Sequence, residues 1–156
     1  MEVFQKIKKQ TKLENIHSNL VLVWGKNIPI YGTTIPQGWG IEQMGQLIYN
    51  KLDSYGREFD LYKIESLGDF SDDSETIVLD VSPGVPDGEI IHTLAHEWIH
   101  VLQYNLEFKE EREIPFELHH NSQVWLKYTR ILGLTTIEST FTEVKTGGFI
   151  DRLIKE

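Results

Sequence analysis

The most regular hydrophobic pattern in the chain lies between residues 90 and 104, where apolar residues recur at steps of three and four. This spacing predicts an apolar stripe along a helix, with a polar stripe opposite it. Asp87 is the expected N-cap, and Glu89 is favourable beside the positive end of the helix dipole. We therefore predict a helix over residues 87–106. Its apolar stripe consists of Ile91, Leu94, Ala95, Trp98, Val101 and Leu102, and its polar stripe of His92, His96, Glu97, His100 and Gln103.

The rest of the chain predicts an α+β fold in one domain that spans residues 1–156. Alternating and β-branched runs predict a small mixed sheet, and amphipathic runs predict further helices. The predicted strands cover residues 19–24, 59–67 and 75–81, with a further short strand at 135–140. The predicted helices cover residues 2–13, 41–52 and 121–132, the last ended by Gly133, with a further short helix at 149–154. Glycines and prolines make residues 26–40 a predicted loop.

Composition limits the chemistry that this chain can use. Its 156 residues are 40% apolar and 25% charged, which is ordinary for a globular protein with one core. It contains no cysteine, which excludes disulfides, thiolate zinc sites and cysteine-based zinc ribbons. Histidine, aspartate and glutamate therefore remain as the candidate metal ligands.

Charge and hydropathy argue against nucleic acids and membranes as partners. The formal net charge is −9 and the isoelectric point about 5.1, whereas nucleic-acid-binding proteins usually have a basic patch. The N-terminus lacks the apolar core of a signal peptide, and no run approaches the roughly 20 apolar residues of a membrane helix. We therefore expect a cytoplasmic protein. The basic cluster is expected to be the solvated face of the first helix and consists of Lys6, Lys8, Lys9 and Lys12.

The polar stripe of the helix over residues 87–106 contains the sequence H-E-x-x-H. His96 and His100 are four residues apart, so a helix places their Cβ atoms about 5–6 Å from each other on one face. Two imidazoles at this spacing can bind one metal ion, and the carboxylate of Glu97 can reach a water molecule there. The motif is typical of zinc peptidases, although three fixed residues also occur by chance. His92 lies one turn earlier on the same face. We expect it either to be solvated or to contact a metal-binding residue without binding the metal itself.

A catalytic zinc site needs a third protein ligand besides an open position for water. His119 and His120 precede the helix over residues 121–132 and are the nearest histidines. A carboxylate would instead give a site with two histidines and one glutamate. The carboxylate alternatives are Glu111, Glu113, Glu117 and Glu138.

The segments HEWIH and HNSQVWLKYTRILG together resemble the SprT-like metallopeptidases, which are related to the Spartan and WLM proteins. The similarity covers roughly residues 75–133. The resemblance implies a zinc metallopeptidase with Glu97 as general base and His96, His100 and His120 as ligands. It also implies a zincin-like fold in which a small mixed sheet packs on the active-site helix. The helix beginning near Asn121 would then close the metal site.

Three functions follow from these expectations. In a zinc peptidase, Glu97 takes a proton from the water that attacks a substrate peptide bond, and Tyr104 or Tyr128 could stabilise the oxyanion. A compact gluzincin-like peptidase would use a glutamate such as Glu117 or Glu138 as its third ligand. A non-catalytic zinc-bound binding or adaptor module would keep the metal and need no base.

The strand over residues 75–81 leads directly into the metal-site helix. If this strand lay at the edge of the sheet, its unpaired backbone groups could bind an extended peptide by strand addition. A protein or peptide substrate is the partner that this arrangement favours.

Overall fold

The computed structural model describes residues 2–110, 113–135, 139 and 142–145 and confirms the predicted α+β class. The predicted helix over residues 149–154 and most of the predicted strand over 135–140 lie outside these residues. The helices are α1 (Glu2–Gln10), α2 (Ile41–Asp53), α3 (Asp87–Leu106) and α4 (Gln123–Ile131). The strands are β1 (Asn19–Lys26), β2 (Gly32–Ile35), β3 (Asp60–Leu67) and β4 (Thr76–Asp80), and a short 3-10 helix covers Phe116–Leu118.

The four described strands form one mixed sheet in the order β2-β4-β1-β3. β1 pairs with β4 in parallel, whereas β3 and β2 add to them in antiparallel orientation. The prediction that residues 26–40 form only a loop is wrong, because β2 lies within them. β2 has four residues, so its pairing with β4, rather than any periodicity of its own, defines it as a strand. β4 is internal, so it cannot bind a peptide as an edge strand.

Helices cover both faces of the sheet, and the side chains of the central strands alternate between two apolar clusters. Ile77 and Leu79 of β4 pack with α1, α3 and α4, whereas Val78 packs with α2 on the opposite face. This burial on both faces explains why β1 and β4 are almost continuously apolar. Gly32 permits the close contact between β2 and α3. A Cβ atom there would lie 2.6 Å from Thr93 Cγ2 and 2.8 Å from the carbonyl oxygen of Val78.

Helix α3 has the predicted bounds and lies at the centre of the fold. Every residue from 93 to 104 is buried, because the sheet, α1 and α4 surround the helix. The predicted N-cap is wrong by one residue: Pro86 has the extended cap conformation, and Asp87 is the first helical residue. Between residues 93 and 104, both the polar and the apolar stripe of α3 are therefore inside the protein, so the buried polar groups need partners, whereas Ile91 is exposed.

Helix α1 is mostly as predicted, but one of its lysines is not solvated. Lys8 is buried and its ammonium lies over the rings of Phe4 and Trp98, 5.2 and 5.3 Å from the ring centroids. Burial lowers the pKa of Lys8 below its ordinary value. The expectation of a solvated lysine was wrong here because the apolar stem covers the core while the cation contacts aromatic faces. Lys6 and Lys9 are exposed as expected.

Candidate metal centre

Helix α3 holds His96 and His100 one turn apart with their rings turned toward one point. Their Nε2 atoms are 3.2 Å from each other, and the two residues are 0% and 4% exposed. Two nitrogen ligands on a tetrahedral zinc ion, each about 2.0–2.1 Å from the metal, lie about 3.3–3.4 Å from each other. The observed separation therefore suits a shared metal ion.

His120 joins these two residues from the turn between the 3-10 helix and α4. Its ring centroid lies 5.2 Å from that of His96 and 5.2 Å from that of His100. Its Nε2 is buried and has no hydrogen-bond partner within the described part of the chain. Its neighbour His119 is bound elsewhere, because its Nε2 donates a hydrogen bond to the carbonyl of Ile114 at 2.8 Å. Of the two adjacent histidines, His120 is the one that the fold brings to the centre.

The indole of Trp125 packs against all three imidazoles. The ring of His100 stacks on it at 4.9 Å and 21°, while those of His96 and His120 meet it edge-on at 4.9 and 4.7 Å. Trp125 is fully buried in the first turn of α4. The N-cap Ser122, whose Oγ accepts the backbone N–H of Trp125 at 3.2 Å, fixes the start of that helix. Helix α4 therefore closes one side of the centre with an apolar surface.

Glu143 is the fourth member of the group, and sequence reasoning missed it. Its Oε1 lies 3.1 Å from Nε2 of His96 and 2.8 Å from Nε2 of His100. The ligand atoms of His96, His100, His120 and Glu143 all lie within 4.8 Å of one another, so this group is close enough to bind a metal ion. No local pattern singles out Glu143, because it lies in a segment without helical or strand periodicity.

The carboxylates that the sequence offered as ligands are not in this group. Glu117 and Glu113 are exposed on the surface. Glu111 and Glu138 lie outside the described residues. His92 is partly buried but does not belong to the group of four.

The protonation of the four side chains follows from their mutual contacts. Burial lowers the pKa of His96 to about 3 and that of His120 to about 4. Burial also disfavours the charged form of His100, but its hydrogen bond to Glu143 and the charge of Glu143 outweigh this and raise its pKa to about 9. Burial opposes ionisation of Glu143, yet hydrogen bonds from His100 and His96 hold its pKa well below the ordinary value. The metal-free centre therefore contains an imidazolium–carboxylate pair beside two neutral imidazoles.

Glu97 lies beside the histidine group with one carboxylate oxygen bound and the other unpaired. Its Oε1 accepts a hydrogen bond from Oγ1 of Thr34 at 2.7 Å, and the same hydroxyl lies 3.1 Å from the Glu97 carbonyl oxygen. Its Oε2 is 3.4 Å from Nε2 of His96 and has no hydrogen-bond partner among the described residues. Burial, and then the charge of Glu143, raises the pKa of Glu97 well above its ordinary value.

Gln103, on the next turn of α3, orients His100. Its Oε1 accepts a hydrogen bond from Nδ1 of His100 at 2.7 Å. Its Nε2 donates to the carbonyls of Leu118 and His119 at 3.2 and 3.0 Å and to Oγ of Ser122 at 2.9 Å. These acceptors determine which way the amide points, so Nδ1 of His100 carries a proton and its Nε2 faces the centre.

A groove of about 1030 Å³ runs from β2 to the C-terminal end of α3. Thr34 lines it, so the groove extends to the residue that binds Glu97. Its walls combine aromatic, acidic and basic side chains, among them Trp39, Phe108 and Glu113. Tyr104 also lines the groove, and burial raises its pKa to about 12. Tyr128 is buried in the apolar cluster around α3, which does not suit the oxyanion role considered above.

The donor set fits a metal ion such as zinc. Three imidazoles and a carboxylate are ordinary zinc ligands, and a bound ion would satisfy the buried Nε2 of His120. Comparisons with family models, curated proteins and solved structures gave no match. Within the described part of the chain, no helix has both the length and the apolar character needed to cross a membrane.

Proposed function

We propose that this protein is a zinc metallopeptidase in which His96, His100 and His120 hold the ion and Glu97 is the general base. The observation that supports this most is the position of Glu97. A metal site alone does not require a buried carboxylate with an unpaired oxygen 3.4 Å from a ligand nitrogen. A general base needs such an oxygen free to take a proton.

The bound zinc ion would polarise a peptide carbonyl and lower the pKa of a water molecule to about 7. The chain's own residues handle the proton. In this proposal, Oε2 of Glu97 accepts it from the attacking water and donates it to the leaving amine. Thr34 keeps the other oxygen occupied, so that the free oxygen faces the centre.

The groove beside β2 favours an extended peptide as substrate. β2 is an edge strand of the described sheet, and its neighbours 29–31 hydrogen-bond to a further segment of the chain on the outer side. Backbone groups on such an edge bind peptides by strand addition. We infer that a substrate peptide lies along β2 and the groove, with its scissile carbonyl near Glu97.

The arrangement of elements supports a zincin-like, SprT-like assignment. The H-E-x-x-H helix α3 packs on the sheet, β4 leads into it, and His120 precedes the helix α4 that packs across the centre. These are the segments, about residues 75–133, in which the sequence resembles that family. The assignment remains part of our proposal.

A non-catalytic metal-binding module is the second candidate, and Glu143 is the observation that favours it. A tetrahedral ion bound by His96, His100, His120 and Glu143 would have no open position for water, which is typical of structural zinc sites. The presence of Glu97 favours the peptidase, because a structural site does not need a base.

Replacement of Glu97 by glutamine distinguishes these two functions. Glu97→Gln should keep the fold and the zinc but reduce hydrolysis of fluorescein-labelled casein about 10²–10⁴-fold, because the amide cannot accept the proton. Glu117→Gln, at an exposed carboxylate, is the matched control. Unchanged hydrolysis by Glu97→Gln would contradict the assigned role. No hydrolysis by zinc-loaded wild type and by zinc-loaded Glu143→Gln would favour the binding module.

A further inference from the structure

Residues 142–145, which we call the strap, lie beside residues 29–31 like an added antiparallel strand. The N–H of Tyr31 donates to the carbonyl of Glu143 at 2.8 Å, and the N–H of Lys145 donates to that of Pro29 at 2.9 Å. An antiparallel bridge pairs Ile30 with Val144 between these bonds. Because residues 29–31 lead directly into β2, the strap lies next to the edge along which we place the substrate.

Two side chains of the strap, Glu143 and Lys145, make charged contacts with the rest of the protein. Glu143 reaches His96 and His100, while the ammonium of Lys145 pairs with the carboxylate of Asp80. Asp80 is only 2% exposed and accepts hydrogen bonds from the backbone N–H and hydroxyl of Ser82. Two charged contacts and a short backbone ladder therefore hold the strap in place.

Glu143 is the member of the metal group that can leave most easily. His96 and His100 are on α3, and His120 is held next to α4 by the contacts of Gln103 and Ser122. Glu143 is attached to the fold through the strap, and its side chain is 22% exposed, against 0% for that of His96 and 5% for that of His100. Departure of Glu143 would leave three histidines and one open position, which is the arrangement that hydrolysis needs.

We propose that the strap is a built-in competitor of the substrate, a statement that rests on the proposed peptidase function. In the docked strap, the peptide backbone pairs with residues 29–31, next to the β2 edge along which we place the substrate. The carboxylate of Glu143 occupies the coordination position needed by a substrate oxygen or a water molecule. Neither Lys145 nor Asp80 belongs to the metal group, and their ion pair keeps the strap docked. Turnover requires the strap to leave.

The affinity of the metal centre for a small external ligand tests the strap without an activity assay. The test compares zinc-loaded wild type with Glu143→Gln, Lys145→Met and Asp80→Asn, each checked for folding by circular dichroism. Asp80→Asn removes the same ion pair by neutralising the carboxylate, and it keeps the shape of the side chain. Lys9→Met, at an exposed lysine of α1, is the control. The probe is acetohydroxamate, whose binding is measured by calorimetry, and zinc per chain is measured in parallel.

A strap that is docked for nine-tenths of the time raises the apparent dissociation constant of a competing ligand about tenfold. We expect acetohydroxamate to bind at least about tenfold more tightly to all three strap variants than to wild type or Lys9→Met, with zinc retained. Equal acetohydroxamate affinity in wild type and the three strap variants, with zinc retained, would overturn the strap proposal but not the peptidase proposal. Loss of zinc from Glu143→Gln would overturn the strap proposal too, because Glu143 would then be a permanent ligand. Folded wild type that binds no zinc would overturn the strap and the proposed function together.

Discussion

Gln103 and His100 form a hydrogen bond of 2.7 Å between Oε1 of the amide and Nδ1 of the imidazole. Both residues are on α3, and the amide nitrogen of Gln103 connects this helix with the turn that holds His120. One side chain therefore fixes the tautomer of one candidate ligand, His100, and supports the turn that holds another, His120. A supporting contact of this kind usually affects metal affinity strongly although it does not touch the metal.

Replacement of Gln103 by leucine should weaken zinc binding about 10–100-fold, because His100 loses the acceptor that fixes its tautomer. The unfolding free energy should also fall by about 1–3 kcal/mol, because the turn loses a buried donor. Zinc affinity is measured by competition with a chromophoric chelator, and Gln5→Leu, at an exposed position of α1, is the control. Equal affinities for Gln103→Leu and wild type would show that this contact does not support the site.

Replacement of Thr34 by valine should lower kcat about tenfold, because Glu97 loses the hydrogen bond that orients its carboxylate, and such bonds contribute about 1.5–3 kcal/mol. Zinc content should not change, because Thr34 does not contact the histidines in the group. Thr33→Val is the matched control. Thr33 pairs with Val78 and so faces the other side of the sheet, whereas Thr34 pairs with Ile77 and faces α3. Equal kcat values for Thr34→Val and Thr33→Val in steady-state kinetics would contradict a role for Thr34 in orienting Glu97.

Replacement of Trp125 by alanine should lower the unfolding free energy of the metal-free protein by about 3–5 kcal/mol, because a fully buried indole is lost. The three imidazoles would also lose the surface that packs against them, so zinc affinity should fall. Trp125→Phe keeps an aromatic ring and should retain more of both properties. Urea denaturation followed by circular dichroism measures the stability, and a loss below about 1 kcal/mol for Trp125→Ala would contradict this packing.

The stability of the metal-free protein should fall as the pH rises from about 6.5 to about 9. The pKa of His100 is about 9 in the folded protein, above the ordinary value of 6.5, so the folded state holds this proton more tightly than the unfolded state. The contribution of the protonated His100 to the unfolding free energy is complete below about pH 6.5 and is lost as the pH passes through about 9. Urea denaturation with a chelator present measures the change. Glu143→Gln should reduce it, because the partner charge is gone, and an identical pH dependence in both proteins would contradict the imidazolium–carboxylate pair.

Local sequence patterns predicted those parts of the fold that local spacing determines. The 3.6-residue period of α3 placed His96, Glu97 and His100 together, and its predicted bounds agree with the structure. Gly133, with φ of +71°, ends the last turn beyond α4 as expected, since glycine tolerates that conformation. The predicted N-cap is one residue too late, because proline and aspartate both suit the start of a helix and the local sequence does not distinguish their positions.

The features that the sequence did not predict depend on contacts between distant residues. β2 exists because β4 pairs with it, and Thr34 contacts Glu97 only because that pairing turns it toward α3. Glu143 reaches the centre through the bridge between Ile30 and Val144, which no periodicity encodes. The resemblance favoured His120 over His119 as the third ligand, and the structure shows where His119 goes instead: its Nε2 is bound to the carbonyl of Ile114.

The most direct test of the central claim is the zinc content of the folded protein and of three histidine variants, measured by elemental analysis after zinc loading and dialysis. We predict one zinc ion per chain in wild type and in His119→Ala, and loss of zinc from His96→Ala and His120→Ala, because His119 is bound to the backbone outside the centre. Circular dichroism confirms that each variant is folded. Folded wild type without zinc, or His96→Ala that retains a full equivalent, would contradict the metal centre proposed for this protein.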